Sequence, residues 1–139
     1  MSNIDWVSTS LRISSSKLTT SEISKVLNLE PLIHYKKGEL MSSRNPKSQK
    51  FKENLCIYEN IAKKSDDLEM HLKKIGLFIK NNENKLKELI TNCEIDVYCG
   101  ISYNGGQGGI VLNSEILKKL ASIPIEIIFD LYFEEDEDT

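Results

Sequence analysis

Long apolar runs are missing from this sequence. Every hydrophobic stretch meets a Lys, Asp or Glu within a few residues, so no segment reads as a bilayer-spanning helix. The first ten residues, Met1 to Ser10, lack a basic block followed by an apolar one, which is the pattern of a secretory leader. Both absences lead to the expectation of a cytoplasmic protein with no membrane partner. Histidine is scarce: His34 and His71 are the only two. The three cysteines, Cys56, Cys93 and Cys99, form no C-x-x-C pair and stand at no ligand spacing from either histidine. That excludes the recognisable zinc patterns. The cysteines read as buried free thiols, which behave as small apolar side chains, and neither a metal nor a cofactor is expected.

A basic excess is missing too. Lys and Arg number 18 against 21 Asp and Glu, for a formal net charge of −3. Phosphate contacts dominate nucleic-acid affinity and favour the opposite balance, so nucleic acid is not an expected partner. One basic patch, His34-Tyr35-Lys36-Lys37 with Arg44, Lys47, Lys50 and Lys52, reads as a solvated loop.

What is present suits a globular core. The chain has 139 residues, 40% hydrophobic and 28% charged. That length is sufficient for a core without disulfides, and the mixture argues against disorder. One α+β domain is expected over residues 1–133. An acidic tail follows at 134–139, carrying Glu134-Glu135-Asp136-Glu137-Asp138.

Hydrophobic periodicity then places the elements. Val7, Leu11 and Ile13 alternate with polar neighbours, which predicts a half-buried strand. Thr19 and Glu22 form a capping box ahead of Ile23, Val26 and Leu27, and Pro31 should end that helix. Turn signals at Lys37-Gly38 and Asn45-Pro46 predict a hairpin, with a short strand at 38–42 and a longer one from Phe51 to Ile61. Leu68, Leu72, Ile75 and Ile79 recur at helical spacing behind Asp66 and Asp67, and Leu86, Leu89 and Ile90 resume the pattern. Residues 66–92 are one helix or two. The cluster Asn81-Asn82-Glu83-Asn84 favours a break, because Asn is poor inside a helix and good at its caps. Ile95 to Tyr103 alternates strictly. The glycine-rich stretch after Asn104 then predicts a hairpin turn to a strand at Ile110–Leu112. Asn113 caps a helix at 114–121, and Ile125 to Phe133 is the last strand. This order predicts a two-layer α+β sandwich, with helices on a mostly antiparallel or mixed sheet. It also predicts a ferredoxin-like βαββαβ core from Phe51 onward with an added N-terminal βα unit.

Five pieces resemble one family in the right order: Leu11-Arg-Ile-Ser-Ser-Ser-Lys-Leu-Thr-Thr-Ser-Glu-Ile23, Lys36-Lys-Gly-Glu39, Val97-Tyr-Cys-Gly-Ile-Ser-Tyr103, Gly106-Gln-Gly-Gly109 and Ile128-Phe-Asp-Leu-Tyr132. The family is the bacterial domain of unknown function 4279. The resemblance covers most of the chain and implies a bacterial setting and an α+β fold. It implies no activity and no catalytic residue. One departure is the absence of a family tryptophan near Cys56 or Tyr58. Some small proteins of this kind look like immunity proteins of toxin systems, which is an analogy of fold and size.

No catalytic constellation stands out. His71 reads as a surface histidine beside Lys74, and His34 sits in a loop; neither has a nameable partner for acid–base work. The loop Gly105-Gly106-Gln107-Gly108-Gly109 could cradle an anion with its backbone N–H groups. It lacks the Gly-Lys-Ser/Thr ending of a P-loop and lies between expected strands. The sharper candidate is a sheet face. If Val7, Leu11, Ile57, Val97, Cys99, Ile101, Ile127, Phe129 and Leu131 face the helices, the two-residue period turns Trp6, Arg12, Tyr58, Asp96, Tyr98, Ile128, Asp130 and Tyr132 the other way. Trp, Tyr and Arg are enriched at interface hot spots. A protein partner or a homo-oligomer is therefore expected there. Three functions follow in order: a non-catalytic protein-binding module, immunity-like in type; a small-ligand or anion-binding regulatory domain; and an enzyme with an unrecognised site.

Overall fold

A computed structural model describes residues 4–59, 62–63, 65–105 and 109–133. Five strands and four helices follow in the order β1 (Ile4–Ser15), α1 (Thr20–Leu27), β2 (Ile33–Tyr35), β3 (Asn54–Tyr58), α2 (Leu68–Asn81), α3 (Glu83–Leu89), β4 (Glu94–Tyr103), α4 (Ser114–Leu120) and β5 (Glu126–Phe133). The strands form one mixed sheet, ordered β2-β3-β1-β4-β5. β1 lies in its centre, antiparallel to both β3 and β4. β5 runs parallel to β4. The α+β class and the mixed sheet agree with the sequence.

Local chemistry sets the helix ends. Thr19 Oγ1 accepts from the Glu22 N–H at 3.1 Å, and a Glu22 carboxylate oxygen accepts from the Thr19 N–H at 3.3 Å, completing the expected capping box. α1 stops at Asn28, which takes the left-handed conformation at φ +53°, three residues before Pro31. Asp67 caps α2 by accepting from the Met70 N–H at 2.8 Å. The break in the second helical region falls at Asn82, which ends α2 and begins α3. Its side-chain amide donates to the Phe78 carbonyl at 2.8 Å, and that oxygen also accepts from the Asn82 backbone N–H at 3.1 Å, so both groups of Asn82 fasten the last turn of α2.

One cluster of buried side chains joins the helices to one face of the sheet. Leu11, Ile13, Val97, Cys99 and Ile101 meet Ile23, Leu72, Ile75, Ile79, Leu86 and Leu120 in it. Burial of aliphatic side chains contributes roughly 1.5–3 kcal/mol each and is the main force holding the layers together.

Several expectations need correction. Among the described residues the ferredoxin-like βαββαβ order does not appear, because Ile110–Leu112 is not a strand and β4 pairs with β5 instead; residues 106–108 of the expected hairpin turn lie outside the described residues. Ile110 and Leu112 pack on the core while Val111 stays exposed. A loop laid across the core thus produced the alternation of a strand. The edge of β4 is filled instead by β5, reached through α4. The segment after Pro31, expected as loop around His34, is instead β2, paired antiparallel with β3. The expected strand at 38–42 is reduced to a single bridge, Leu40 to Lys50. Backbone bonds from Met41 to Gln49 (2.8 Å) and from Phe51 to Glu39 (2.8 Å) do close the turn around Pro46. Regular pairing of β3 starts only at Asn54 and is described to Tyr58; residues 60 and 61 of the expected strand lie outside the described residues.

Candidate interaction face

The face of the sheet turned away from the helices is built in rows. Ladder register places Trp6 and Tyr132 on either side of Ser102, and Ser8 and Asp130 on either side of Gly100. The next row holds Ser10, Tyr98 and Ile128, and the one after it Ile57, Arg12, Asp96 and Glu126. Side chains at paired positions point the same way. Seven of the eight residues expected on this face therefore share it: Trp6, Arg12, Asp96, Tyr98, Ile128, Asp130 and Tyr132.

Tyr58 is the exception. It pairs with Leu11 and is only 3% exposed, on the helix side. Its hydroxyl donates to the Leu29 carbonyl at 3.1 Å. Ile57, expected in the core, instead lies beside Arg12 on the open face and is half-buried. The phase of β3 was misjudged because both of its faces carry apolar residues. A buried Tyr needs only one acceptor for its hydroxyl, and the carbonyl of Leu29 supplies it. Leu131, also expected in the core, is exposed near the end of an edge strand.

The face is tied together by polar and aromatic contacts. The Arg12 guanidinium grips Asp96 with two bonds, Nε to Oδ1 at 2.7 Å and Nη2 to Oδ2 at 3.0 Å. It also lies over the Tyr98 ring, 4.8 Å from the centroid, a favourable cation–π placement. The hydroxyls of Tyr98 and Tyr132 both donate to Asp130 Oδ2, the latter at 2.8 Å. Trp6 and Tyr132 meet with ring centroids 5.7 Å apart. Both rings lean over Gly100, where a Cβ would stand 3.4 Å from Trp6 Cζ3 and 3.6 Å from Tyr132 Cε2.

These contacts decide what the face can do chemically. The two hydroxyls lower the Asp130 pKa and keep it ionised. The bond to Asp130, more than any other cause, pushes the Tyr98 phenol well above its ordinary value. Tyr98 is thus a poor nucleophile and a poor base at neutral pH, and Asp130 is a poor acid. The arrangement is suited to recognition by shape, ring faces and fixed polar groups.

The other sequence candidates fare differently. In the glycine loop, Gly105 has φ +100° and Gly109 is described, while Gly106, Gln107 and Gly108 lie outside the described residues. Among the described residues no group of three His, Cys, Asp or Glu side chains could hold a metal ion. All three cysteines are free and buried. Burial raises their pKa, to about 11 for Cys56 and about 12 for Cys99. No described helix is long and apolar enough to cross a membrane.

Two features were missed. His71 is fully buried, not on the surface. Its position three residues after Leu68 and four before Ile75 on the apolar stripe of α2 was the available signal. The second is a cleft of about 400 Å³ at the starts of β4 and β5, lined by Glu94, Asp96 and Glu126 together with Pro124 and Ile125.

The chain matches the family model described as domain of unknown function (DUF4279) over residues 5–134. The chain belongs to this family. No curated protein and no solved structure matches it. Every residue of the interaction face lies inside the matched region, so the face is part of the family domain as this chain carries it.

Proposed function

We propose that this DUF4279 protein is a non-catalytic protein-binding module that docks its partner on the open sheet face. The observation that carries it is the preorganised cluster of Trp6, Arg12, Tyr98 and Tyr132 around two carboxylates. Large rings and a guanidinium fixed before binding lose little entropy on docking, and these residue types dominate interface energetics. A bacterial, cytoplasmic setting and an immunity-like role fit a small, acidic domain, and we hold them as part of the same proposal.

Single substitutions Trp6→Ala, Tyr98→Ala and Tyr132→Ala test it, with circular dichroism as the check on fold. Proteins retained from a lysate of the native host by immobilised wild type should be lost with these variants and kept by Leu117→Ala, an exposed change on α4. Retention indifferent to all three ring substitutions would sink the proposal. A second reading, small-ligand binding, is favoured by the cleft between Glu94, Asp96 and Glu126. Its mark would be a thermal shift with small amines that disappears in Glu126→Gln.

A further inference from the structure

β5 is the last strand on one side of the sheet, so its ladder to β4 uses only one side of its backbone. Among the described residues, no hydrogen bond reaches the other side. Native edges are normally blunted by charged side chains, Lys above all, or by Pro, a bulge or a very short strand. β5 runs eight residues from Glu126 to Phe133 without Pro or Lys, its register with β4 has no slip, and the charges it carries, Glu126 and Asp130, are both acidic. At its end three successive apolar side chains stand exposed, Leu131 at 41%, Tyr132 at 46% and Phe133 at 67%. The opposite edge, β2, has only three residues.

Charge decides what this edge can accept. From Ile123 to Thr139 the sequence contains seven acidic residues and no Lys, Arg or His. Two copies meeting β5 to β5 would each bring the same acidic segment to the seam with no cation from it to offset the charge, which disfavours self-association. An incoming strand of opposite sign gains from the same acids, as partners selected by attraction and repulsion together do.

We propose that the outer edge of β5 is a strand-addition site that takes an extended, basic segment of a partner protein as a sixth strand. This rests on the protein-binding proposal and extends it, since Asp130 and Tyr132 belong to both the face and the edge. Main-chain bonds supply affinity in such additions and alternate side chains supply specificity.

The test uses the full chain, labelled with ¹⁵N, and two short blocked peptides: one alternating Lys with Val and Thr, the other with Glu in place of Lys. The Lys peptide should slow amide exchange within Glu126–Phe133, and the Glu peptide should not. Combining Glu126→Lys, Glu134→Lys and Glu135→Lys, all exposed or beyond the described strand, should weaken the Lys peptide by at least about tenfold in Kd. Three results would each overturn the proposal: no protection of β5, shifts confined to residues 134–138 without protection of 126–133, or a doubled mass by light scattering with β5 already protected before peptide is added. Host-protein capture that depends on Trp6 and Tyr98 without β5 protection would remove strand addition while leaving the binding module standing.

Discussion

Thr9 and His71, 62 residues apart in sequence, meet through a buried hydrogen bond of 2.8 Å between Thr9 Oγ1 and His71 Nδ1. The other ring nitrogen, Nε2, lies 2.7 Å from the Lys63 carbonyl oxygen. A carbonyl only accepts, so Nε2 carries a proton. Burial lowers the His71 pKa and favours the neutral ring, in which Nδ1 accepts from the Thr9 hydroxyl; the ring ties the central strand to α2 and to the segment before it.

That arrangement makes stability fall in mild acid. Desolvation lowers the His71 pKa most; Lys74 also lowers it, while the Lys63 carbonyl, Asp66 and Asp67 act the other way. With the folded pKa below the unfolded value of about 6.5, the unfolded chain binds more protons in acid. The stabilising contribution is therefore present above about pH 6.5 and is lost as the pH falls toward the folded value. Urea midpoints measured from pH 7.5 to 5 should fall in wild type and flatten in His71→Gln. That variant should also lose about 1–3 kcal/mol at pH 7.5, because Thr9 and Lys63 keep unmatched polar atoms.

Gly100 reports on the open face. It takes no left-handed conformation, and a Cβ there meets Trp6 and Tyr132 at ordinary contact distance. Gly100→Ala should be neutral or stabilising by up to about 1 kcal/mol, since glycine weakens a strand interior. Gly100→Leu has to push the rings aside. Trp6 is the only tryptophan in the sequence, so its emission should shift to longer wavelength in the Leu variant and hold in the Ala variant.

Tyr58 and Tyr98 should separate cleanly when each loses only its hydroxyl. Tyr58→Phe breaks the bond to Leu29 and should cost about 1 kcal/mol in denaturant unfolding, with no effect on partner binding. Tyr98→Phe removes one of the two donors on Asp130. The Asp130 pKa, now held low, should rise toward the usual carboxylate range. The share of stability that it supplies above that range, lost as pH falls, should shrink. A carboxyl ¹³C titration reads this directly, and an unmoved Asp130 would contradict the assigned bonds.

Much of this was legible in local sequence. The capping box at Thr19 and Glu22, the Asn82 break and the Asn113 cap each depend on residues within one helical turn, and all three are in place. Seven members of the open face follow from the strict alternation of β1, β4 and β5. The failures came where one pattern fits two environments. Ile110-Val111-Leu112 alternates as a strand does, yet only the tertiary competition for the edge of β4 decides that β5 takes the place. Asn54 to Tyr58 carries apolar residues on both faces, so its phase is set by pairing with β1 rather than by composition. His71 escaped because a polar side chain on an apolar stripe needs a partner, and Thr9 cannot be identified as that partner from spacing alone.

The central place of β1 bears on the order of folding. Its ladder with β4 pairs Ile4 with Tyr103 and Ser14 with Glu94, so the middle of the sheet cannot close until most of the chain exists. Contacts this distant in sequence slow folding through loop-closure entropy. During synthesis β1 therefore waits for β4, while the capping contacts of α1 need only residues of its own first turn.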